Sequence, residues 1–357
     1  MSIDPSTLDQ SKLEAFQGLA VAEAAAAESA ACCYLGDVLG LYEAMADAGP
    51  LTSAELASRT ETHERYVREW LANQASGGYV IHHPDRGAFE LPPEHAAVLA
   101  DAAGPFHLSG IYAVIAAAWA SADRAAEAFR TGEGVGWHEH DPRLFGGVER
   151  IFAPLYRHQL VQEWIPALEG VHERLTAGAR VADVGCGHGA STLVLAEAYP
   201  ASRFVGFDYH PESIAEASKA AADAGVGDRV AFEVAAADGY SGDDYDLVCF
   251  FDCLHDMGDP VAAAAHARRA LTDGGTVLLV EPMAGDELAD NLNPISRLFY
   301  AGSVFLCTPS SLAQEGGAAL GAQAGATRLR QVLGEAGFTR TRVATSTPFN
   351  LVIEARE

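Results

Sequence analysis

Basic residues are scarce in this chain of 357 residues. It has 23 lysines and arginines against 49 aspartates and glutamates, which gives a formal net charge of −26. A surface this negative repels phosphate backbones and anionic lipid headgroups. The composition therefore predicts that neither nucleic acid nor a membrane surface is a partner.

Long apolar runs and targeting signals are also missing on inspection. We find no run of the roughly 18 to 20 apolar residues that a membrane span needs. The start of the chain, Met1 to Pro5, lacks the basic residues and apolar core of a signal peptide. None of the six cysteines forms a C-x-x-C pair, and most lie in or beside apolar segments. These absences predict a cytoplasmic protein with reduced cysteines.

The composition that remains is that of a globular protein with more than one core. Hydrophobic residues make up 49% of the chain and charged residues 20%. The length is more than one ordinary core accommodates, so we expect two domains. We place a helical winged-helix and dimerisation domain in residues 1–100, a helical linker and lid in 101–170, and an α/β domain in 171–357.

The first hundred residues have a winged-helix pattern. Residues 13–48 are rich in alanine, leucine and glutamate and carry no proline, which predicts one or two helices with a break between Gly36 and Gly40. Two capped helices follow, at about 51–57 and 62–76, and then two short strands, 79–83 and 88–91. Residues 61–70, the expected recognition helix, hold three glutamates and two arginines, which favours dimerisation or a lid over DNA binding.

Residues 101–170 are helical in pattern and rich in aromatic side chains. Tyr156 and Trp164 are candidates for a lid over a ligand pocket. The cluster at 137–141, with His138 and His140, invites a metal interpretation. Its ligands alternate and no second group stands at a fitting spacing, so we predict no metal there.

From residue 180 onward, short apolar runs alternate with helical stretches, which predicts a parallel sheet. The runs that we read as strands are 181–184, 203–207, 230–234, 245–251 and 276–280, with a closing antiparallel hairpin at 341–345 and 350–354.

The first of these strands runs into a glycine turn and then a helix. Gly185 and Gly187 let the backbone adopt unusual dihedral angles and approach a ligand closely. Together with Ala190, and with Asp208 roughly twenty positions on, they also fit a dinucleotide fingerprint. The turn alone therefore leaves S-adenosylmethionine (SAM) and NAD both open.

Three aspartates favour SAM. Asp183 precedes Gly185, where its carboxylate could accept from the glycine turn or hold a ligand ammonium through water. Asp208 ends the second strand, where it could accept both ribose hydroxyls, and Asp238 follows the third strand, where it could accept from the adenine amine. One such residue is often only a cap or a turn residue, but three at successive strand ends point to SAM.

The order of these motifs, followed by Leu254-His255-Asp256-Met257 and Val280-Glu281-Pro282, resembles the class I SAM-dependent methyltransferases with an N-terminal winged-helix domain. The resemblance is to small-molecule O-methyltransferases, most of all to an actinobacterial branch without a settled substrate. It implies a Rossmann-like, seven-stranded domain, a homodimer and no metal. The cofactor contacts that we expect include Asp183, Gly185, Gly187, Asp208, Tyr209, Asp238, Gly239, Phe251 and Asp252.

The resemblance also implies an acceptor site. His255 falls on the family's general base and Glu281 on the carboxylate that orients it, although either could be merely structural. Gln323 stands where the family has a second carboxylate, and an amide cannot stabilise an imidazolium by charge. We expect Tyr156, Trp164, Tyr300 and Gln323 around the acceptor.

The sequence thus predicts a methyltransferase that converts SAM to S-adenosylhomocysteine (SAH) while methylating a small molecule. Oxygen is the favoured acceptor atom, with nitrogen and carbon as alternatives. The rival hypothesis is a SAM-binding protein on the same scaffold that transfers no methyl group, either another enzyme or a winged-helix regulator.

Overall fold

A computed structural model describes residues 4–357. The signal-peptide prediction rests partly on Met1 to Ile3, which lie outside the described residues. The chain forms two compact units that divide between Ala116 and Ala117. The assignment of 101–170 to a linker and lid stays a prediction.

The first unit is a small helical domain with a three-stranded antiparallel sheet. Its sheet has the order β1-β3-β2, in which Leu51 pairs with Phe89 and Ile81 with Glu90. The predicted winged helix is confirmed. Its elements are α1 (Gln10–Val38), α2 (Leu41–Met45), β1 (Leu51–Thr52), α3 (Ser53–Arg59), α4 (Glu64–Ser76), β2 (Ile81–His83), β3 (Ala88–Glu90), α5 (Pro93–Leu99) and α6 (Gly110–Ala120), in which the division between the units falls.

Local chemistry explains these boundaries. Gly40 adopts the left-handed conformation between α1 and α2, which accounts for the predicted break. Thr52 caps α3, and Glu55 accepts from the Thr52 backbone N–H at 2.8 Å, which completes a capping box. In the core the Tyr42 hydroxyl donates to Gln74 at 2.6 Å.

Helix α1 requires a correction to the sequence analysis. It is long and apolar enough, by length and composition alone, to cross a membrane, and only 6% of its most apolar window is buried. We missed this because alanines with few interspersed charges do not look like an apolar run. The helix exposes several larger apolar side chains, among them Phe16, Leu19 and Val21.

The second unit begins with helices. They are α7 (Ala122–Thr131), α8 (Arg143–Leu155), a π-helical segment (Tyr156–Trp164) and α9 (Val171–Ala177). Pro154 lies inside α8 and has no N–H to donate to the preceding turn, and the helix changes to the π form directly after it. The helical prediction for this region is confirmed.

The rest of the second unit is an α/β domain with a seven-stranded sheet, as predicted. Its strands are β4 (Arg180–Val184), β5 (Arg203–Asp208), β6 (Val230–Val234), β7 (Tyr245–Phe251), β8 (Leu271–Pro282), β9 (Arg340–Ser346) and β10 (Asn350–Arg356). Its helices are α10 (Ala190–Ala198), α11 (Pro211–Asp223), α12 (Pro260–Ala270), α13 (Pro294–Gly302), α14 (Thr308–Leu312) and α15 (Gly325–Glu335), with a 3-10 turn at Leu254–Asp256 and a π turn at Ser303–Cys307.

The strand order is β6-β5-β4-β7-β8-β10-β9. The strands from β6 to β8 are parallel, and β10 runs antiparallel to both β8 and β9, which confirms the closing hairpin. Side chains of β4 alternate between two cores: Val181 joins the core that holds Trp164, and Ala182 and Val184 join the opposite one. The order reverses between β4 and β7, and ligands of open α/β sheets bind at the carboxyl ends of strands at such a point.

Candidate active site

The glycine turn after β4 is tied to the end of β5. Gly185 has a φ of 74°, and a Cβ there would lie 2.7 Å from the Cys253 sulfur, so the position requires glycine. The Gly187 N–H donates to Asp208 Oδ2 at 2.9 Å, and the His210 N–H donates to Oδ1 at 2.9 Å. Asp208 therefore fixes the turn and keeps further lone pairs for a ligand.

Asp183 is buried beneath this turn. Its Oδ2 accepts from the hydroxyls of Ser191 and Thr192, both at 2.6 Å, at the start of α10. The partners are thus helix hydroxyls and not the glycine turn, which was one of the two possibilities considered for this carboxylate. Burial raises the pKa of Asp183 to about 6. Its Oδ1 is buried without a hydrogen-bond partner among residues 4–357, which leaves one acceptor for a ligand or water.

A cavity of about 160 Å³ lies over the turn. Its floor includes Gly185, Gly187, Asp208 and Tyr209. Aromatic side chains form much of the wall: Trp137, Phe145, Phe152, Tyr156 and Phe251. The prediction had placed Tyr156 at such a pocket, and Phe145 and Phe152 were missed because nothing in the sequence marks which face of α8 turns to the cavity.

The charged side chains that line the cavity are acidic. They are Glu149, Asp208, Asp252 and Asp256, and among the described residues His188 is the sole basic side chain in the lining. Burial raises the pKa of Asp256 to about 7, and burial followed by the nearby Glu281 carboxylate raises that of Asp252. An acidic lining without lysine or arginine favours a cationic ligand.

Helix α8 is linked to the glycine turn by one polar contact. Glu149 Oε2 lies 2.8 Å from His188 Nδ1. This contact raises the pKa of His188, while burial works in the opposite direction. Sequence reasoning did not identify the pair, because its members are 39 positions apart and no local pattern joins them.

Several of the predicted site residues lie elsewhere. Asp238 and Gly239 are exposed after β6 and outside the cavity lining. Trp164 is fully buried and packs edge-on against Tyr156, so it supports the wall from behind. Tyr300 is half-buried on α13 and does not line the cavity. The Gln323 amide donates to the carbonyls of Met283 and Ala322, and not to the imidazole.

His255 and Glu281 form a buried pair, as the family resemblance implied. His255 Nδ1 is in hydrogen-bond contact with Glu281 Oε2, and the other carboxylate oxygen accepts from the Leu254 N–H at 2.9 Å. Burial lowers the pKa of His255, but the Glu281 carboxylate and the Cys307 sulfur outweigh it and hold this pKa well above its usual range.

The other imidazole nitrogen does not face the cavity. His255 Nε2 lies 3.3 Å from the sulfur of Cys307, at the end of the π turn. Neither residue lines the cavity, whereas the adjacent Asp256 does. All six cysteines are free, and Cys307 is buried against the imidazole. Only the tertiary structure reveals this contact, because 52 positions separate the two residues.

Comparison with known proteins gives two family matches. Residues 175–315 match a methyltransferase domain, and residues 27–101 match an Rv2258c-like winged HTH domain. The chain therefore contains a methyltransferase domain preceded by a winged-helix domain, which is the architecture of the class I methyltransferases that its sequence resembles.

Individual relatives agree with this architecture. A trans-aconitate 2-methyltransferase of Streptomyces avermitilis is 39% identical over 105 residues, which is 29% of this chain and 39% of that protein's length. The mitomycin 7-O-methyltransferase MmcR has a TM-score of 0.72 at 20% identity, covering 98% of this chain and all of the other. Human N-acetylserotonin methyltransferase, in a complex with SAM, has a TM-score of 0.67 at 17% identity, with 99% of each chain covered. At these identities the structural likeness concerns the fold.

Proposed function

We propose that this methyltransferase binds SAM in the cavity over the glycine turn and methylates a small-molecule acceptor. The observation that carries the proposal is the position and charge of the cavity. It lies beside the β4 and β7 ends, where the strand order reverses, and its charged lining is acidic. SAM carries a sulfonium and an ammonium, so a cavity ringed by carboxylates suits it better than a pyrophosphate-bearing dinucleotide.

The glycine turn, two aspartates and two aromatic rings contribute to SAM binding in different ways. The glycine turn brings backbone close to the ligand, and Asp208, already held by Gly187 and His210, offers its remaining lone pairs to ribose hydroxyls. The free Oδ1 of Asp183 is available for the ammonium, directly or through water. Tyr156 and Phe251, whose rings lie 5.3 Å apart, supply an apolar wall that excludes water.

The cofactor supplies an electrophilic methyl group whose transfer neutralises a positive charge. A nearly dry pocket that aligns acceptor and methyl group contributes much of the rate to such a reaction by positioning. We favour an oxygen acceptor, since MmcR is a 7-O-methyltransferase. His255 and Glu281 are the proposed acceptor-side residues. His255 acts as the base when the acceptor comes within hydrogen-bond distance of its Nε2 atom, and Glu281 orients the imidazole.

Incubation of the full-length protein with isotope-labelled SAM and cell extract, followed by untargeted mass spectrometry, tests the activity. We expect a labelled metabolite that is absent with heat-denatured protein. A protein that SAM stabilises against heat but that labels nothing would support the non-methylating alternative. Specific DNA binding by that protein would single out a regulator.

We further propose that the protein is a homodimer whose second copy covers α1. The exposed fractions of Phe16, Leu19 and Val21 are 68%, 54% and 70%. A 29-residue helix with so much exposed apolar surface is not stable as an isolated, solvated element. The net charge of −26 disfavours an anionic membrane as its partner and is compatible with a second protein surface.

A further inference from the structure

We propose that Ser310 binds and orients the methyl acceptor and that His140 holds the Ser310 hydroxyl in position. Ser310 is 2% exposed on α14 and lines the cavity. His140 is buried behind it, outside the cavity lining, and its Nε2 atom lies 3.5 Å from Ser310 Oγ. The inference names two positioning residues for the proposed methyl transfer and rests on that function.

The Ser310 hydroxyl has hydrogen-bonding capacity left for a ligand. Its 3.5 Å contact is at the outer limit of a hydrogen bond, and within residues 4–357 the hydroxyl makes no other. The neighbouring Ser311 shows the contrast, since its hydroxyl donates to the Met257 carbonyl at 2.7 Å and accepts from the Ala319 N–H at 2.9 Å. Buried hydroxyls normally have partners, and Ser310 lines the cavity. It can therefore donate to, or accept from, a molecule bound there.

The segment 132–142, between α7 and α8, brings His140 to this position. Gly134 must be glycine, because a Cβ there would lie 2.0 Å from a backbone nitrogen at the end of α14. The Val135 N–H donates to the Pro309 carbonyl at 3.0 Å, one residue before Ser310. The segment is thus packed tightly against α14, which places the imidazole beside the hydroxyl. This gives the histidine of the 137–141 cluster a role that involves no metal.

The group that Ser310 recognises is uncharged. Burial, and then the positive charge of Arg124, lower the pKa of His140, while Glu139 opposes them. The imidazole is therefore neutral at neutral pH and forms no ion pair with an anionic ligand. The charged lining of the cavity is mainly acidic and repels anions as well. A hydroxyl, a carbonyl or a neutral ring nitrogen of the methyl acceptor is the partner that fits the Ser310 hydroxyl.

Hydrogen bonds fix Ser310 relative to the turn that carries His255. The Gln314 amide, directly after α14, donates to the carbonyls of both Ser310 and Asp256 at 2.9 Å. The contact between Ser311 and the following turn residue adds a second link. A molecule held by Ser310 is therefore held in a fixed position relative to the 3-10 turn. Positioning of this kind aligns the reacting atoms and contributes to the rate without any chemistry by the serine itself.

Binding of phenol and toluene to the full-length protein tests the proposal without requiring turnover. The two probes have the same ring and nearly the same size, but only phenol has a hydroxyl. NMR titrations of the SAH-saturated protein give their dissociation constants. We expect Ser310→Ala to weaken phenol binding by about three- to tenfold, the scale of one neutral hydrogen bond, and to change toluene binding by less than about twofold. Ser218→Ala, a helical serine whose hydroxyl donates to the Ile214 carbonyl away from the cavity, is the control and should change neither.

Variants of His140 separate positioning from packing. His140→Gln keeps a polar group for the hydroxyl and should retain most of the preference for phenol, whereas His140→Leu should lose as much of it as Ser310→Ala. A purely structural role would lower the melting temperature of both His140 variants and leave the ratio of the two dissociation constants unchanged, which would overturn the proposal.

The remaining outcomes distinguish this inference from the proposed function. Equal losses for both probes in Ser310→Ala, or no phenol binding by the wild-type protein, would overturn the role of Ser310 while leaving SAM binding intact. The titrations are repeated without SAH, so a protein that SAM does not stabilise but that keeps its Ser310-dependent phenol binding would reject the cofactor and leave the Ser310 site standing. With the acceptor from the labelling experiment, Ser310→Ala should raise the KM for that acceptor and leave the KM for SAM unchanged.

Discussion

Glu149 on α8 and His188 in the glycine turn lie 2.8 Å apart, so one polar contact joins the helical wall of the cavity to its floor. Both residues line the cavity. A ligand in the cavity would lie beside this contact, and loss of the contact would loosen α8 from the glycine turn. The pair is therefore a candidate for control of cofactor release.

This pair predicts a pH-dependent release rate. The contact raises the pKa of His188, so the charged pair is complete below the unfolded-state pKa and is lost as the pH rises through the higher folded-state value. Asp208 and Glu216 also favour the protonated imidazole.

SAH dissociation, followed by stopped-flow fluorescence, should become faster as the pH rises through the folded-state pKa of His188. Glu149→Gln should raise the rate by about two- to fivefold at low pH and flatten the dependence, since Glu149 is partly exposed. The exposed Glu163→Gln on the neighbouring π segment is the control; equal effects of both variants would refute the role of the pair.

The position of Asp208 in the cavity lining predicts that the cofactor is SAM and not NAD. SAM or SAH should raise the melting temperature of the wild-type protein, because a ligand that binds only the folded state shifts unfolding by mass action, whereas NAD should not. Asp208→Ala should weaken SAM binding by about 1.5–3 kcal/mol, the scale of a hydrogen bond to a charged group. Isothermal calorimetry measures this, with the exposed Asp228→Ala as control. Stabilisation by NAD and indifference to SAM would overturn the cofactor assignment.

Substitution of His255 should lower turnover much more than it lowers SAM affinity. His255→Ala should lower turnover by about a hundredfold or more if the imidazole is the base, while SAM affinity changes by no more than a few fold. Glu281→Gln should cost less, because Glu281 acts through His255. Gln323→Glu should leave turnover unchanged, since this amide contacts backbone carbonyls and not the imidazole. Initial rates with the acceptor from the labelling experiment check all three, and wild-type turnover in His255→Ala would remove this residue from the reaction.

The exposed apolar side chains of α1 predict that the protein is a dimer. Light scattering on a sizing column should give a dimer for the full-length protein at micromolar concentration. Phe16→Glu should produce a monomer or aggregation, because it places a charge on the apolar surface. Leu288→Glu, at a similarly exposed leucine of the second unit, should remain dimeric. A wild-type monomer would contradict the proposal, and partition of the wild-type protein into vesicles would indicate a membrane partner for α1.

Much of the fold follows from local pattern. Strands β6 and β7 were predicted at their observed bounds, and the other strands of the seven-stranded sheet were predicted within a few residues, because a strand in the interior of a sheet is a short apolar run between turns. The 12-residue β8 is the largest departure, since its first residues include Asp273, Gly274 and Gly275, which favour a turn.

The sequence by itself determined the glycine turn, the acidic strand ends and the winged helix, because each depends on local geometry or on strand ends that meet at one edge of the sheet. The pairing of His255 with Glu281 was expected from the family resemblance. Only the tertiary structure decided which side chains meet across long separations. It put Cys307, and not Gln323, on the imidazole, moved Trp164 behind the cavity wall, and joined Glu149 to His188. The physical reason is that α8 packs against α10, and the π turn before α14 packs against the 3-10 turn at Leu254–Asp256. The spacing of residues within either segment does not encode which side chains face these partners.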